Sequence, residues 1–110
     1  MARTPVTIRH NDELARIEAV VEGEVVGYSE YRKGDEGALT FFHTVVDDDR
    51  EGEGVGSQLA EGVIRFVREG DARIEPECSF IRAYMSRHEE TQDLLAEGFS
   101  LEPDSDSDGD

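Results

Sequence analysis

The pattern of apolar and polar residues changes period halfway along the chain. Residues 14–21 alternate between an apolar set and a mixed set, as a half-buried strand requires. A second alternating run covers residues 24–32, and residues 38–46 form an apolar run rich in β-branched and aromatic side chains. The pair Glu22-Gly23 is a tight-turn signal between the first two runs. The first half therefore predicts three strands joined by short turns in an antiparallel meander.

The second half begins with a helical period. Val55, Leu59 and Val63 recur at intervals of four, which predicts one apolar stripe of a helix that ends near Glu69. In residues 72–76, apolar and charged side chains alternate over a short stretch, which is typical of a strand. Strand, helix and strand predict a βαβ unit, in which the fourth strand lies parallel to the third through a right-handed crossover.

The remaining segments set the expected domain bounds. Ser79 is placed to cap a helix from Phe80 to His88, and a last short helix is expected over residues 89–99. We expect one domain over residues 13–101, preceded by a lead-in over residues 1–12. The tail over residues 102–110 has five acids and no apolar residue, and we expect it to be disordered.

The charge composition is unusual. The 110 residues include 27 Asp and Glu against 11 Lys and Arg, for a formal net charge of -16. Such a chain repels itself in dilute buffer, whereas at about 1 M salt the screening length falls to roughly 3 Å. The composition predicts a salt-rich cytoplasm, as in halophiles, with an ordinary acidic protein as the alternative. A nucleic-acid partner is not expected, because no basic stripe is present to neutralise phosphates.

The composition also limits other classes of function. There is no run of 18 apolar residues and no basic, apolar leader, so we expect a soluble cytoplasmic protein with no membrane partner. The single cysteine excludes an internal disulfide framework. His10, His43 and His88 are scattered along the chain, and no metal site is predicted from them.

Three glycines lie between the third strand and the first helix. Gly52, Gly54 and Gly56 allow positive φ and a close approach to the main chain. The amides of a helix N-terminus are a ready anion site, so this context predicts a phosphate-bearing ligand. The alternative is a glycine-rich connector without a ligand.

The candidate chemistry lies at the carboxyl ends of the two parallel strands, where ligands bind in open α/β sheets. His43 lies near the end of the third strand, and Cys78 lies just past the fourth. A thiol beside an imidazole and a helix N-terminus is a candidate nucleophile. The alternative for each is a packing role. Tyr84 either supplies a hydroxyl donor at the same ends of the parallel strands or fills the core.

Two stretches carry a family resemblance. Residues 41–57 read F-F-H-T-V-V-D-x-x-x-x-G-x-G-V-G-S, and residues 78–88 read C-S-F-I-x-x-Y-x-x-x-H. Together they resemble the GNAT superfamily of acetyl-CoA-dependent N-acetyltransferases, and more narrowly its minimal single-domain group. The resemblance covers residues 14–99 and implies an α+β fold: a mixed sheet with the three-strand meander, the βαβ unit and C-terminal helices.

The resemblance also implies a reaction. Acetyl-CoA would be the co-substrate, and the acceptor would be an amine of a small molecule or a protein. Cys78 and His43 would form the active-site pair; Tyr84 remains a further catalytic candidate from its position on the helix alone. Either Cys78 takes the acetyl group covalently, or His43 acts as the base for direct attack. The strand end would hold the pantetheine arm and the glycine turn the pyrophosphate, through Thr44, Val45, Val46, Glu51, Gly52, Glu53, Gly54, Val55, Gly56 and Ser57.

Two other readings stay open. A non-catalytic acyl-CoA-binding or interaction module would keep the same fold, and the carboxylates of Glu51 and Glu53 beside a pyrophosphate favour it. The pair of His43 and Cys78 favours the enzyme instead. A structural α+β domain without a ligand is the third reading. A monomer and a homodimer are both compatible with the sequence.

Overall fold

Five strands form one mixed sheet in the order in which they occur along the chain. The computed structural model describes residues 5–47, 54–96 and 101. The first four strands pair antiparallel with one another, and the fifth is parallel to the fourth. The strands are β1 (Thr7–Asn11), β2 (Arg16–Val21), β3 (Glu24–Lys33), β4 (Ala38–Val46) and β5 (Arg73–Pro76). The helices are α1 (Val55–Glu69) and α2 (Ser79–Arg87), with short 3₁₀ helices at Asp35–Gly37 and Glu89–Leu94.

The α+β fold with a mixed sheet, expected from the sequence, is confirmed. The third predicted strand is β4 with the predicted bounds, and α1 ends at Glu69 with Gly70 as its C-cap. The pairing of β4 with β5 is parallel, as the βαβ pattern requires. The turn between β2 and β3 is tight, because Glu22 and Gly23 both have positive φ, of 53° and 84°.

The N-terminal segment differs from the expectation. Residues 1–12, expected to be a lead-in, contain β1, which pairs antiparallel with β2. The meander therefore has four strands rather than three. Ile8 is the only apolar residue of β1, and the strand lies at the sheet edge, so its sequence carries almost no hydrophobic pattern.

The C-terminal segment also differs. The expected helix over residues 89–99 is a 3₁₀ helix that ends at Leu94, and Leu95 forms a parallel bridge with Ile74 of β5. Ser79 is not the cap of α2: Cys78 occupies the N-cap position, with no side-chain cap bond. The rest of the expected last helix, residues 97–99, and the expected acidic tail lie outside the described residues.

The core joins both helices to the sheet. The buried stripe of α1 includes Val55, Leu59 and Val63, and α2 adds Ile81 and Met85. These side chains belong to one continuous cluster that also contains buried residues of β2 to β5. The cluster fixes the starts of α1 and α2 relative to the end of β4. No helix among the described residues is both long and apolar enough to cross a membrane.

A bulge in β4 sets which residues face the helices. Glu30 pairs with His43 and Tyr31 with Phe41, so Phe42 is an extra residue. Beyond it, Thr44 pairs with Ser29. Ser29 also pairs with Ile17, a buried core residue, so Ser29 and Thr44 lie on the core face.

A buried carboxylate joins β1 to β2 on the opposite face of the sheet. The side chain of Glu18 is only 1% exposed and accepts hydrogen bonds from Arg9, Arg16 and Asn11 at 2.8–3.0 Å. The guanidinium of Arg16 also lies 4.3 Å from the centre of the Tyr28 ring. Burial by itself raises the pKa of Glu18, but the bonds from Arg16, Asn11 and Arg9 outweigh it and lower the pKa to about 2.

Candidate active site

The parallel strands separate at Phe41. Their pairing covers only Ala38 to Phe41, and the chain then leaves β5 through Glu77 and Cys78, whose N–H groups both donate to the carbonyl of Phe41, at 2.9 and 3.1 Å. Among the described residues, no strand pairs with β4 beyond Phe41 at this edge. The free edge of β4 and the start of α2 therefore border an opening, here called the β4–α2 cleft.

Main-chain groups of β4 point into this cleft. The N–H of Asp47 donates to the carbonyl of Val26 at 2.9 Å, so the main chain of Asp47 faces β3. Successive residues of an antiparallel ladder alternate in this direction, so Val45 also faces β3, while Thr44 and Val46 face the free edge. Thr44 and Val46 are thus placed to hydrogen-bond a ligand through their main chain. Val45, which was predicted with them, contributes its side chain to the opposite face.

The N-terminus of α1 lies beside this cleft. Its N-cap, Gly54, has φ of 81° and no side chain, and the first turn carries no acid. The first N–H groups of a helix have no partner within the helix and carry a partial positive charge. A Cβ on Gly56 would lie 3.0 Å from Cζ of Phe80, so this glycine lets the start of α1 lie against the start of α2.

The thiol of Cys78 contacts β4 directly. Its Sγ lies 3.2 Å from Oγ1 of Thr44, which in turn lies 2.9 Å from Oγ of Ser29. Cys78 and Thr44 are half-buried, and Ser29 is fully buried. Sequence reasoning chose Thr44 only as a ligand contact and missed Ser29. The pairing register of β3 and β4, which depends on the bulge at Phe42, was the missing information.

The other two catalytic candidates have different surroundings. His43 is exposed on the opposite face of β4 from Thr44, with its ring centre 6.2 Å from that of Tyr28. Tyr84 is buried in the core and its ring stacks on His88 at 4.1 Å. The structure therefore brings Cys78 to Thr44 and does not place the imidazole of His43 beside the thiol. The roles of all three residues stay predictions.

The remaining predicted ligand contacts divide into two groups. Val55 is buried, Gly56 is half-buried and Ser57 is exposed, all in the first turn of α1. Glu51, Gly52 and Glu53 lie outside the described residues.

The comparisons with known proteins identify a family and similar folds. Residues 16–94 match the family model described as GCN5-related N-acetyl-transferase. The fold is similar to the NMR solution structure of a GCN5-like protein from Staphylococcus aureus, with a TM-score of 0.62 and 24% identity, over 87% of this chain and 91% of that chain. It is also similar to the crystal structure of Ard1 from Thermoplasma volcanium, with a TM-score of 0.51 and 24% identity, over 56% of this chain and 43% of that chain.

No curated protein shows significant similarity to the chain. At these identities, the solved structures show a shared fold alone. The family model, in contrast, spans more than half of the chain and covers β2 to β5, both helices and the thiol. The chain therefore belongs to the GCN5-related N-acetyltransferase family.

Proposed function

We propose that the protein transfers an acetyl group from acetyl-CoA to an amine acceptor, which is a small molecule or a protein amine. The observation that carries the proposal is that three features border one cleft: the N-terminus of α1, the free edge of β4 and the thiol of Cys78. Membership of an acetyltransferase family supports acyl transfer in general. The family model does not by itself establish acetyl-CoA as the donor or an amine as the acceptor, so both belong to this proposal.

The cleft offers complementary groups to each part of CoA. The first-turn amides of α1, from Val55 to Ser57, would hold the pyrophosphate, and Gly54 leaves the main chain open to it. The main chain of Thr44 and Val46 would bond the amide groups of the pantetheine arm, as an added strand would. The thioester would then lie toward Cys78. Glu51 and Glu53, predicted beside the pyrophosphate, lie outside the described residues.

Cys78 is the favoured nucleophile, because its sulfur lies at the cleft while His43 lies on the other face of β4. In this route Sγ, as the thiolate, attacks the carbonyl carbon of the thioester and forms a new S–C bond. The CoA sulfur leaves and takes up the proton that Cys78 had lost. The amine, as the free base, then attacks the acetyl-cysteine, forms the N–C bond and releases Sγ as the thiolate. Its surplus proton passes to water or a nearby base.

The test is binding followed by turnover. We expect acetyl-CoA to raise the melting temperature in multimolar KCl, and CoA thiol to appear when members of a panel of primary amines are added. Binding without turnover on any amine would favour the non-catalytic acyl-CoA module, which the carboxylates of Glu51 and Glu53 suggest. Absence of binding would contradict both.

Salt should tighten the binding of acetyl-CoA. The protein carries a formal net charge of -16, and CoA is itself an anion, so the two repel at long range. At about 1 M salt the screening length is roughly 3 Å, and this repulsion is removed. We expect Kd, measured by calorimetric titration, to fall as KCl rises from dilute to multimolar. A Kd that rises throughout that range would contradict this account of the charge.

A further inference from the structure

A pair of hydroxyl groups lies directly behind the thiol. Oγ of Ser29 is 2.9 Å from Oγ1 of Thr44, and Oγ1 of Thr44 is 3.2 Å from Sγ of Cys78. Ser29 and Thr44 stand opposite each other on β3 and β4, and Cys78 begins α2, so three elements meet in this row. Ser29 is completely buried, and a buried hydroxyl is costly unless it is hydrogen-bonded.

The number of hydrogen atoms limits the possible directions of the hydrogen bonds between Ser29, Thr44 and Cys78. Each hydroxyl has one hydrogen to donate, and a thiolate can only accept. When Cys78 is a thiolate, Thr44 donates its hydrogen to Sγ, so Oγ1 of Thr44 must accept from Ser29. When Cys78 is a thiol, the row can run in the opposite direction. When Ser29 donates to Oγ1 of Thr44 in this way, it polarises the Thr44 hydroxyl and strengthens the hydrogen bond that Thr44 donates to the sulfur.

We propose that Ser29 is a positioning residue, whose hydroxyl donates to Thr44 and strengthens the hydrogen bond that Thr44 donates to Cys78 Sγ, so that the thiolate is stabilised at the β4–α2 cleft. The role of this contact in turnover rests on the proposed function. The contact itself, and its effect on the reactivity of the sulfur, are independent of the proposed function.

Among the residues that the structure describes, no other group around the thiol replaces this donor. Cys78 is the N-cap of α2, but its side chain makes no cap bond to the helix. Of the charged groups nearby, Glu77 is exposed and paired with Arg32 at 3.3 Å, and Arg82 of α2 donates to the carbonyl of Glu77. His43 of β4 faces the other side of the sheet, and the first turn of α1 has no acid.

The row of hydrogen-bonded side chains ends at Ser29, inside the protein. Ser29 has no exposed surface, so the row does not open to solvent at this end. The proton that Cys78 loses must therefore leave through the cleft, where the leaving CoA sulfur and the amine would lie. Ser29 and Thr44 orient and stabilise the sulfur without carrying its proton away.

The test is the rate at which iodoacetamide alkylates Cys78, measured across pH without CoA. Cys78 is the single cysteine, so the rate reports one site. We expect Ser29→Ala to slow alkylation roughly 3- to 10-fold at pH 7 and to move its pH profile upward, by the usual strength of a hydrogen bond. Thr44→Val, which keeps the side-chain shape, should slow it at least as much, and Thr44→Ser should restore it.

The control is Ser79→Ala, which removes an exposed hydroxyl next to Cys78 and should leave the profile unchanged. If Ser29→Ala does not fold, Thr44→Val against Thr44→Ser gives the same comparison. An unchanged pH profile in Ser29→Ala and Thr44→Val, with native circular dichroism, would overturn the proposal. A shifted profile supports it even if acetyl transfer is never detected, so this result is separate from that of the proposed function.

Discussion

Replacing Cys78 with alanine is expected to lower kcat/KM for acetyl transfer by about 100-fold or more, the usual scale for losing a reacting group. The substitution removes the sulfur that lies 3.2 Å from Thr44 at the β4–α2 cleft. It leaves the first turn of α1 and the main chain of β4 unchanged. The Kd for acetyl-CoA should therefore stay within about threefold of the wild-type value, since the main-chain groups proposed to hold it remain.

The matched variants are His43→Ala and Ser79→Ala. His43 lies on the opposite face of β4, and we expect its loss to reduce the rate less than the loss of Cys78. Ser79→Ala should retain wild-type rates. Mass spectrometry of the wild type with acetyl-CoA alone should detect one acetyl group on Cys78. Full activity in Cys78→Ala would instead show direct attack on the thioester and remove the covalent route.

Replacing Glu18 with glutamine is expected to lower the free energy of unfolding by about 3 kcal/mol at neutral pH, the scale for breaking a buried ion pair. The carboxylate is 1% exposed and pairs with the guanidinium of Arg16, which is only 21% exposed. A neutral amide would leave that charge uncompensated. Urea unfolding at fixed high KCl measures the loss, because the salt removes the general charge repulsion from the comparison.

The effect of Glu18 depends on pH in a definite direction. The folded-state pKa, about 2, lies below the ordinary value of 4.5, so the folded protein favours the ionised form. This stabilisation is fully present above about pH 4.5 and is lost as the pH falls toward 2. A shift of this size is worth about 3 kcal/mol, which matches the expected cost of the substitution. The difference between wild type and Glu18→Gln should therefore shrink over this acid range.

Glu61→Gln is the control for this experiment. Glu61 is exposed on α1, so its loss should change stability by less than about 0.5 kcal/mol at any pH. If Glu18→Gln were as stable as Glu61→Gln at neutral pH, the network of Arg9, Arg16 and Asn11 would not stabilise the fold.

Much of the fold was predictable because long elements carry their own pattern. β4 and α1 bury many apolar residues at regular intervals, and their predicted ends agree with the structure. β1 carries almost no such pattern, because it is a short edge strand with mostly exposed residues. Its position is set by cross-strand contacts, above all the hydrogen bonds of Arg9 and Asn11 to Glu18, which no local sequence pattern reveals.

The sequence predicted only those parts of the candidate site whose positions follow from the order of strands and helices along the chain. The free end of β4, the start of α1 and Cys78 come together because a parallel strand pair and its helix place them there. Side-chain direction near the thiol depends instead on the bulge at Phe42. One extra residue shifts the alternation of β4, so that Thr44 faces Cys78 and His43 faces away. The alternation of apolar and polar residues in the sequence does not show where a bulge residue lies.

The most direct test of the proposed acetyl-CoA site is an NMR titration of the ¹⁵N-labelled protein with acetyl-CoA in multimolar KCl. The account predicts saturable shifts at the amides of Val55, Gly56, Thr44 and Val46, which border the β4–α2 cleft. The amides of β1, at the far edge of the sheet, should stay unchanged. Saturable shifts confined to β1 and β2, or none at any concentration, would contradict the claim that this cleft binds the acetyl donor.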